Sequence, residues 1–140
     1  MHATAARALS LWTPPLLVMA LIFAGSSIPS DGVDRGVAGL IAAKAIHFSE
    51  YFVLLLALWR ALRSTLAPRF AVAVALVACV VYAGSDELHQ RSVEGRNASA
   101  VDVAIDATGA ATAAALLLRL RGRSSRRRGR ARSDRDSARA

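Results

Sequence analysis

The sequence predicts an all-α, polytopic membrane protein of four transmembrane helices with both termini in the cytoplasm. Three observations lead there. Of the 140 residues 54% are apolar and the mean hydropathy is +0.38, while only 6% are aromatic. The apolar content is thus mostly Ala, Val and Leu, the usual filling of helices packed in lipid. The apolar residues fall in four runs of about 17–20, the length that crosses a ~30 Å hydrocarbon core at ~1.5 Å per residue. The basic residues are lopsided, since ten of the eighteen Lys and Arg are arginines at or beyond Arg119.

The first run is Leu9–Gly25, with Pro14 and Pro15 early in it, where a helix start tolerates them. Arg7 ahead of it and Ala24-Gly25-Ser26 behind it also fit a cleaved signal peptide, an alternative reading of this segment. The second run is Ile46–Leu62. The third, Leu66–Gly84, is purely apolar only from Phe70 and borrows the turn Leu66–Arg69. Phe70–Gly84 has no polar face, which argues against a soluble helical core. It contains the lone cysteine, Cys79, read as a small hydrophobe between helices. The fourth run, Val101–Leu118, carries Asp102 and Asp106.

These runs divide the chain into a cytoplasmic amino terminus (1–8), a membrane domain (9–118) and an arginine-rich cytoplasmic tail (119–140). The tail has no apolar residue besides alanine after Leu120, cannot bury a core, and is expected to be disordered. Its charge suits anchoring on anionic lipid at ~1 kcal/mol per basic residue near the surface. No aromatic is interleaved for base stacking, so nucleic acid is not an expected partner. Without the tail, eight basic and eight acidic residues remain.

Orientation follows from loop Lys and Arg. With the amino terminus inside, fourteen basic residues are cytoplasmic and four (Arg35, Lys44, Arg91, Arg96) are not. An odd number of spans would strand the tail outside, which argues for four. The expected location is a membrane, crossed four times. Asp31, Asp34, Glu50, Asp86, Glu87, Glu94, Asp102 and Asp106, with His47 and His89, then gather toward the extracytoplasmic end.

On a helix, Lys44, His47 and Tyr51 share a face, with Glu50 on its edge; Asp86, His89 and Gln90 share another if the third helix continues. Ser99 suits a helix N-cap with Asp102 three residues on, close to a capping box. Asp102, Asp106, Gly109 and Ala113 form one stripe, whose small residues admit a close neighbour. Glu50, Asp102 and Asp106 are placed one or two turns from the outer boundary. Three readings stay open: a salt-bridge network that fixes helix register, a site for a polar headgroup, sugar or phosphate, and a metal site. The last rests on His47 with Glu50 and Asp86 with His89, i, i+3 pairs of ligand types. No HExxH or CxxC supports it, so no metal is assigned, and the sequence names no cofactor.

At these residues the chain resembles the VanZ-like family of small bacterial membrane proteins. The matching segments are Phe23-Ala-Gly-Ser-Ser-Ile-Pro29, Lys44-Ala-Ile-His-Phe-Ser-Glu-Tyr51, and Asp86-Glu-Leu-His-Gln90 with Arg96, Ser99, Asp102, Asp106 and Gly109. The resemblance implies a four-helix domain in the bacterial cytoplasmic (inner) membrane and, because some members are linked to teicoplanin resistance, a role at the cell envelope. It implies no reaction. Ser92-Val93-Glu94-Gly95 departs from the aromatic and proline that members often carry there, and the arginine tail is foreign to the pattern. The expected function is therefore binding or modification of an envelope or lipid-linked substrate. Glu50, Asp86, Glu87, His89 and Asp102 are the candidate acid–base groups. Lys44, His47, Gln90, Arg91, Arg96 and Asp106 are the candidate binding groups. The competing expectation is a non-catalytic membrane module whose charges lock the helices or contact a partner protein.

Overall fold

Four helices account for nearly all of the chain: α1 (His2–Ser26), α2 (Gly36–Leu62), α3 (Pro68–Gln90) and α4 (Ala100–Ser137). The computed structural model describes the backbone of residues 2–31, 33, 36–96 and 98–137, and the side chains of 6–31, 33, 36–96 and 98–123. Asp34, Arg35, Asn97 and the side chains of the tail arginines from Arg126 onward lie outside these. Each helix contains a stretch long and apolar enough to cross a membrane: Ala6–Ser26, Gly36–Leu62, Pro68–Gln90 and Ala100–Arg123.

Local chemistry sets the helix starts. Pro68 opens α3, where first-turn amides have no intrahelical acceptor and a missing N–H costs nothing. Ser99 caps α4 through its hydroxyl oxygen, 3.2 Å from the Val101 amide. Three boundaries differ from the sequence reading. First, α1 begins at His2, which puts Pro14 and Pro15 inside it rather than near its start. Pro14 cannot donate to the Ser10 carbonyl, four residues back. Arg60 of α2 takes that carbonyl instead, its Nη1 donating across 3.2 Å. Second, α2 begins at Gly36 rather than Ile46, because the small residues of Gly36–Ala45 extend the helix through Lys44. Third, the backbone from Arg119 through Ser137 is helical, where no regular structure was expected. Low apolar content forbids a core but not a helix: an existing span removes the nucleation cost, and arginine is a good helix former.

The helices run up, down, up, down. The ends of α1 and α3 and the starts of α2 and α4 meet at one end, as Ser26 with Asp86 and Lys44 with Asp102 show. Helices α2 and α3 form the shared middle and touch each other and both outer helices, whereas α1 and α4 do not touch among the described residues. The core is Tyr51, Leu54, Leu55 and Leu58 of α2 against Val72, Ala75 and Cys79 of α3 and Ala110, Ala113, Ala114 and Leu117 of α4. The parallel neighbours α2 and α4 come closest at Gly109, where a Cβ would overlap the Phe48 carbonyl oxygen and lie 3.0 Å from its carbon. Only a residue without a side chain fits there. α1 is held by fewer contacts, among them the Tyr82 hydroxyl, which donates to the Met19 carbonyl at 2.7 Å.

Leu16, Leu17, Leu21, Val74, Val77 and Val81 point outward. On a membrane protein these are lipid-facing side chains and not an anomaly. The end opposite the polar one carries Trp59, Arg60, Arg63, Arg69 and Phe70, with the Arg63 and Arg69 guanidinium groups each 4.8 Å from the centre of a ring, Trp59 and Phe70 respectively. Aromatic and basic residues of this kind mark a membrane–water boundary.

Candidate functional site

Parallel packing of α2 on α4 brings their first polar residues level, and two pairs form in register. Lys44 pairs with Asp102, both partly buried. One turn deeper, His47 Nδ1 lies 3.1 Å from Oδ1 of Asp106, which is 1% exposed. The Gly109–Phe48 contact follows directly below. The close approach that glycine allows is thus what holds the two pairs together.

A second network joins α1, α3 and the loop before α4. The buried Ser26 hydroxyl donates to Asp86 Oδ1 at 2.6 Å, and Gln90 Nε2 donates to Asp86 Oδ2 at 3.0 Å. Arg96 donates to Gln90 Oε1 at 3.2 Å, to the Gly25 carbonyl at 2.8 Å and to the Ile28 carbonyl at 3.0 Å. Arg96 therefore caps the carboxyl end of α1, whose last carbonyls have no helical partner. The two loops also meet directly: the Ser30 amide donates to the Glu94 carbonyl at 3.1 Å. Next to it Gly95 has φ +72°, and a Cβ there would lie 2.9 Å from the Ser30 oxygen.

Glu87 is buried and its Oε1 accepts the Ser99 amide at the start of α4. The sequence reading gave the reciprocal half of this cap to Asp102. The ion pair with Lys44 engages Asp102, and a carboxylate from α3 takes its place.

Two adjoining cavities open between these groups. The deeper, of about 200 Å³, is lined by Ile22, Ser26, Ala43, Ile46, His47, Glu50, Asp86 and Arg96, with Gly25 at its edge. The outer, of about 470 Å³, is a vestibule bounded by Ser30, Asp31, Lys44, Gln90, Gly95 and Asp102. They share Ala43, His47 and Arg96. Below Glu50 the apolar core closes the way toward Arg60, so the passage is blind. A wider groove of about 710 Å³ runs along the outer side of α4 at Ala107, Ala111 and Ala115 and carries no charge except Arg119 at its end.

The structure sorts the sequence candidates by place. His47, Glu50, Asp86 and Arg96 line the deep cavity; Lys44, Gln90 and Asp102 line the vestibule. Asp106 stands behind His47, and Glu87 is occupied as a helix cap. His89 lies elsewhere, stacked on Phe23 at 4.6 Å with Nε2 3.0 Å from Ser27 Oγ. The Ser27 hydroxyl gives its hydrogen to the Phe23 carbonyl at 2.6 Å, so His89 is the donor to it. Arg91 is exposed at the end of α3 and lines neither cavity. Of the i, i+3 pairs that raised metal binding, His47 and Glu50 line one cavity while Asp86 and His89 point apart, and among the described residues no group of three or more His, Cys, Asp or Glu is placed to hold an ion.

With α2 starting at Gly36, Glu50 lies about four turns into its helix, and it shares its cavity with Gly25 and Ser26 in the last turn of α1. A charge at the middle of a span costs ~2.5–3.5 kcal/mol on insertion scales, and one nearer the boundary less. Two polar groups were not among the candidates. Ser26 was quoted only within a matching segment. Tyr51 has a fully buried hydroxyl with no hydrogen-bond partner among the described residues, its ring 6.3 Å from Tyr82, and only its helical face signalled it.

The cluster unites the HFSEY, DELHQ and Asp102–Asp106 segments, and the sequence model of the VanZ/LLP1 family matches residues 11–121. The chain belongs to the VanZ/LLP1 family. Comparison with curated proteins gave no match, and comparison with solved structures gave none. The VanZ/LLP1 match covers most of each of the four membrane stretches and the whole polar cluster, and it leaves out the tail beyond Arg121. This member of the family is a multi-pass membrane protein.

Proposed function

We propose that the chain is a cell-envelope protein whose cavity, at the extracytoplasmic end of the bundle, binds the polar part of an envelope or lipid-linked substrate. The observation that carries this reading is the cavity with Glu50 and His47 on its wall, which adjoins the vestibule through Ala43, His47 and Arg96. A network serving only to lock helices has no need of such a space. Binding is favoured over catalysis because the candidate acid–base groups are dispersed: His89 faces Phe23 and Glu87 caps α4. The excess of arginines at the opposite end supports the orientation. A carboxyl-terminal reporter fusion tests it, and an extracytoplasmic signal would refute it.

The competing role, a charge network that fixes register, has support in the Lys44–Asp102 and His47–Asp106 pairs. Glu50→Gln and Asp102→Asn separate the two readings, with teicoplanin susceptibility and protein level as readouts. A phenotype lost in Glu50→Gln at normal protein level supports the site. Lost protein level in both variants, with no separate effect of Glu50→Gln, would leave only the lock.

A further inference from the structure

Matching the charges around the deep cavity leaves one carboxylate over. His47 is engaged with Asp106, and Lys44 with Asp102. Both oxygens of Asp86 accept hydrogen bonds, from Ser26 and Gln90, and Gln90 leads on to Arg96. Glu50 lines the same cavity and has no hydrogen-bond or ion-pair partner among the described residues. A charge within a membrane-spanning stretch calls for a partner, and the free space lies in front of it.

The surroundings narrow what that partner is. Among the described residues an anion finds no free cation: Lys44 is paired, Arg91 lies outside, and Arg96 is spread over two carbonyls and Gln90. A bare metal ion asks for several oxygen ligands at once, and of the described acids that line the deep cavity, Asp86 is engaged and Glu50 is left to offer any. The space, about 200 Å³, also exceeds a single ion or water, the latter's share of the liquid being ~30 Å³. Part of its wall is Ile22, Ala43 and Ile46, which favours carbon. An ammonium group on a short carbon skeleton meets both demands.

We infer that the cavity between α1 and α2 takes a protonated primary amine, its ammonium against Glu50 and its carbon skeleton along Ile22, Ala43 and Ile46. The inference rests on the binding reading above and deepens it by naming the ligand chemistry. The amine has two routes. A free amine enters through the vestibule. An aminolipid headgroup enters sideways past Ala43 and Ile46, which are exposed on the lipid side of α2.

The test uses the full chain in detergent micelles, offered phosphatidylethanolamine or phosphatidylglycerol, with retention measured by native mass spectrometry. Glycerophosphoethanolamine serves as the soluble competitor. The expected result is at least a tenfold preference for phosphatidylethanolamine. Glu50→Gln brings that preference within twofold, whereas Glu94→Gln, an exposed loop carboxylate, leaves it intact. Ala43→Trp, which narrows the mouth from an exposed position, lowers retention with unchanged helicity and carries the test alone if Glu50→Gln does not fold. Competition by glycerophosphoethanolamine assigns the free-amine route, and its failure to compete assigns the lipid route. Equal retention of the two lipids, or a preference that survives both cavity variants, would overturn the inference. If the Glu50→Gln envelope phenotype persists in that event, the cavity binds something other than an amine. If the phenotype is absent too, the binding reading falls with it.

Discussion

Replacing Gly109 by alanine adds one carbon at the place where the membrane bundle has least room for it. The new Cβ would overlap the Phe48 carbonyl oxygen and sit 3.0 and 3.1 Å from the Phe48 carbonyl carbon and Cα. These are backbone atoms of α2, so no side-chain rotation relieves the clash and the helices must separate. Overpacking of this kind costs about 1–3 kcal/mol. Alanine in place of glycine returns about 1 kcal/mol of helix propensity, leaving a net loss of up to about 2 kcal/mol. Gly84 in α3 is the control, because a Cβ there meets nothing within 4 Å. Gly84→Ala should be neutral or stabilising by about 0.5–1 kcal/mol. The assay is unfolding in mixed micelles with rising SDS, followed by circular dichroism, for both variants and the parent. If Gly109→Ala proves as stable as Gly84→Ala, the α2–α4 contact does not set the register of the polar pairs as argued.

Three other perturbations bear on the same framework. Lys44→Met leaves Asp102 in a span without its cation, and partial exposure (31% for Lys44, 14% for Asp102) places the loss at about 1–2 kcal/mol, between surface and buried pairs. Adding Asp102→Asn should recover part of it, and a double-mutant cycle that shows no coupling would contradict the pair. Glu87→Gln keeps an oxygen for the Ser99 amide and should cost little in thermal stability, whereas Glu87→Leu strands that amide and should cost about 1–3 kcal/mol; equal melting of the two would refute the cap. Gly95→Ala faces both a positive φ and the Ser30 oxygen, while Gly36→Ala faces a positive φ of 60° in open space. Gly36→Ala should therefore lose only about 1–2 kcal/mol from backbone strain, and Gly95→Ala measurably more in the same unfolding assay.

The sequence by itself determined the class, the number of spans and the identity of the polar segments. Apolar length and charge asymmetry follow from one-dimensional spacing and need no knowledge of neighbours. It also placed Gly109 and Ala113 on the stripe that carries Asp106, because helical periodicity is local. The start of α2 was misplaced, since the glycines of Gly36–Ala45 and Lys44 interrupt the apolar run there. Partners were beyond reach altogether. Only tertiary packing decided that Lys44 meets Asp102 rather than another acid, that Asp86 meets Ser26, and that His89 turns toward Phe23. Periodicity fixes the face of its own helix on which a side chain lies. What lies opposite that face depends on the relative rotation and height of two helices, here set by the closeness that Gly109 permits. That is why the polar end was legible as a place, and why its unpaired carboxylate, Glu50, was not.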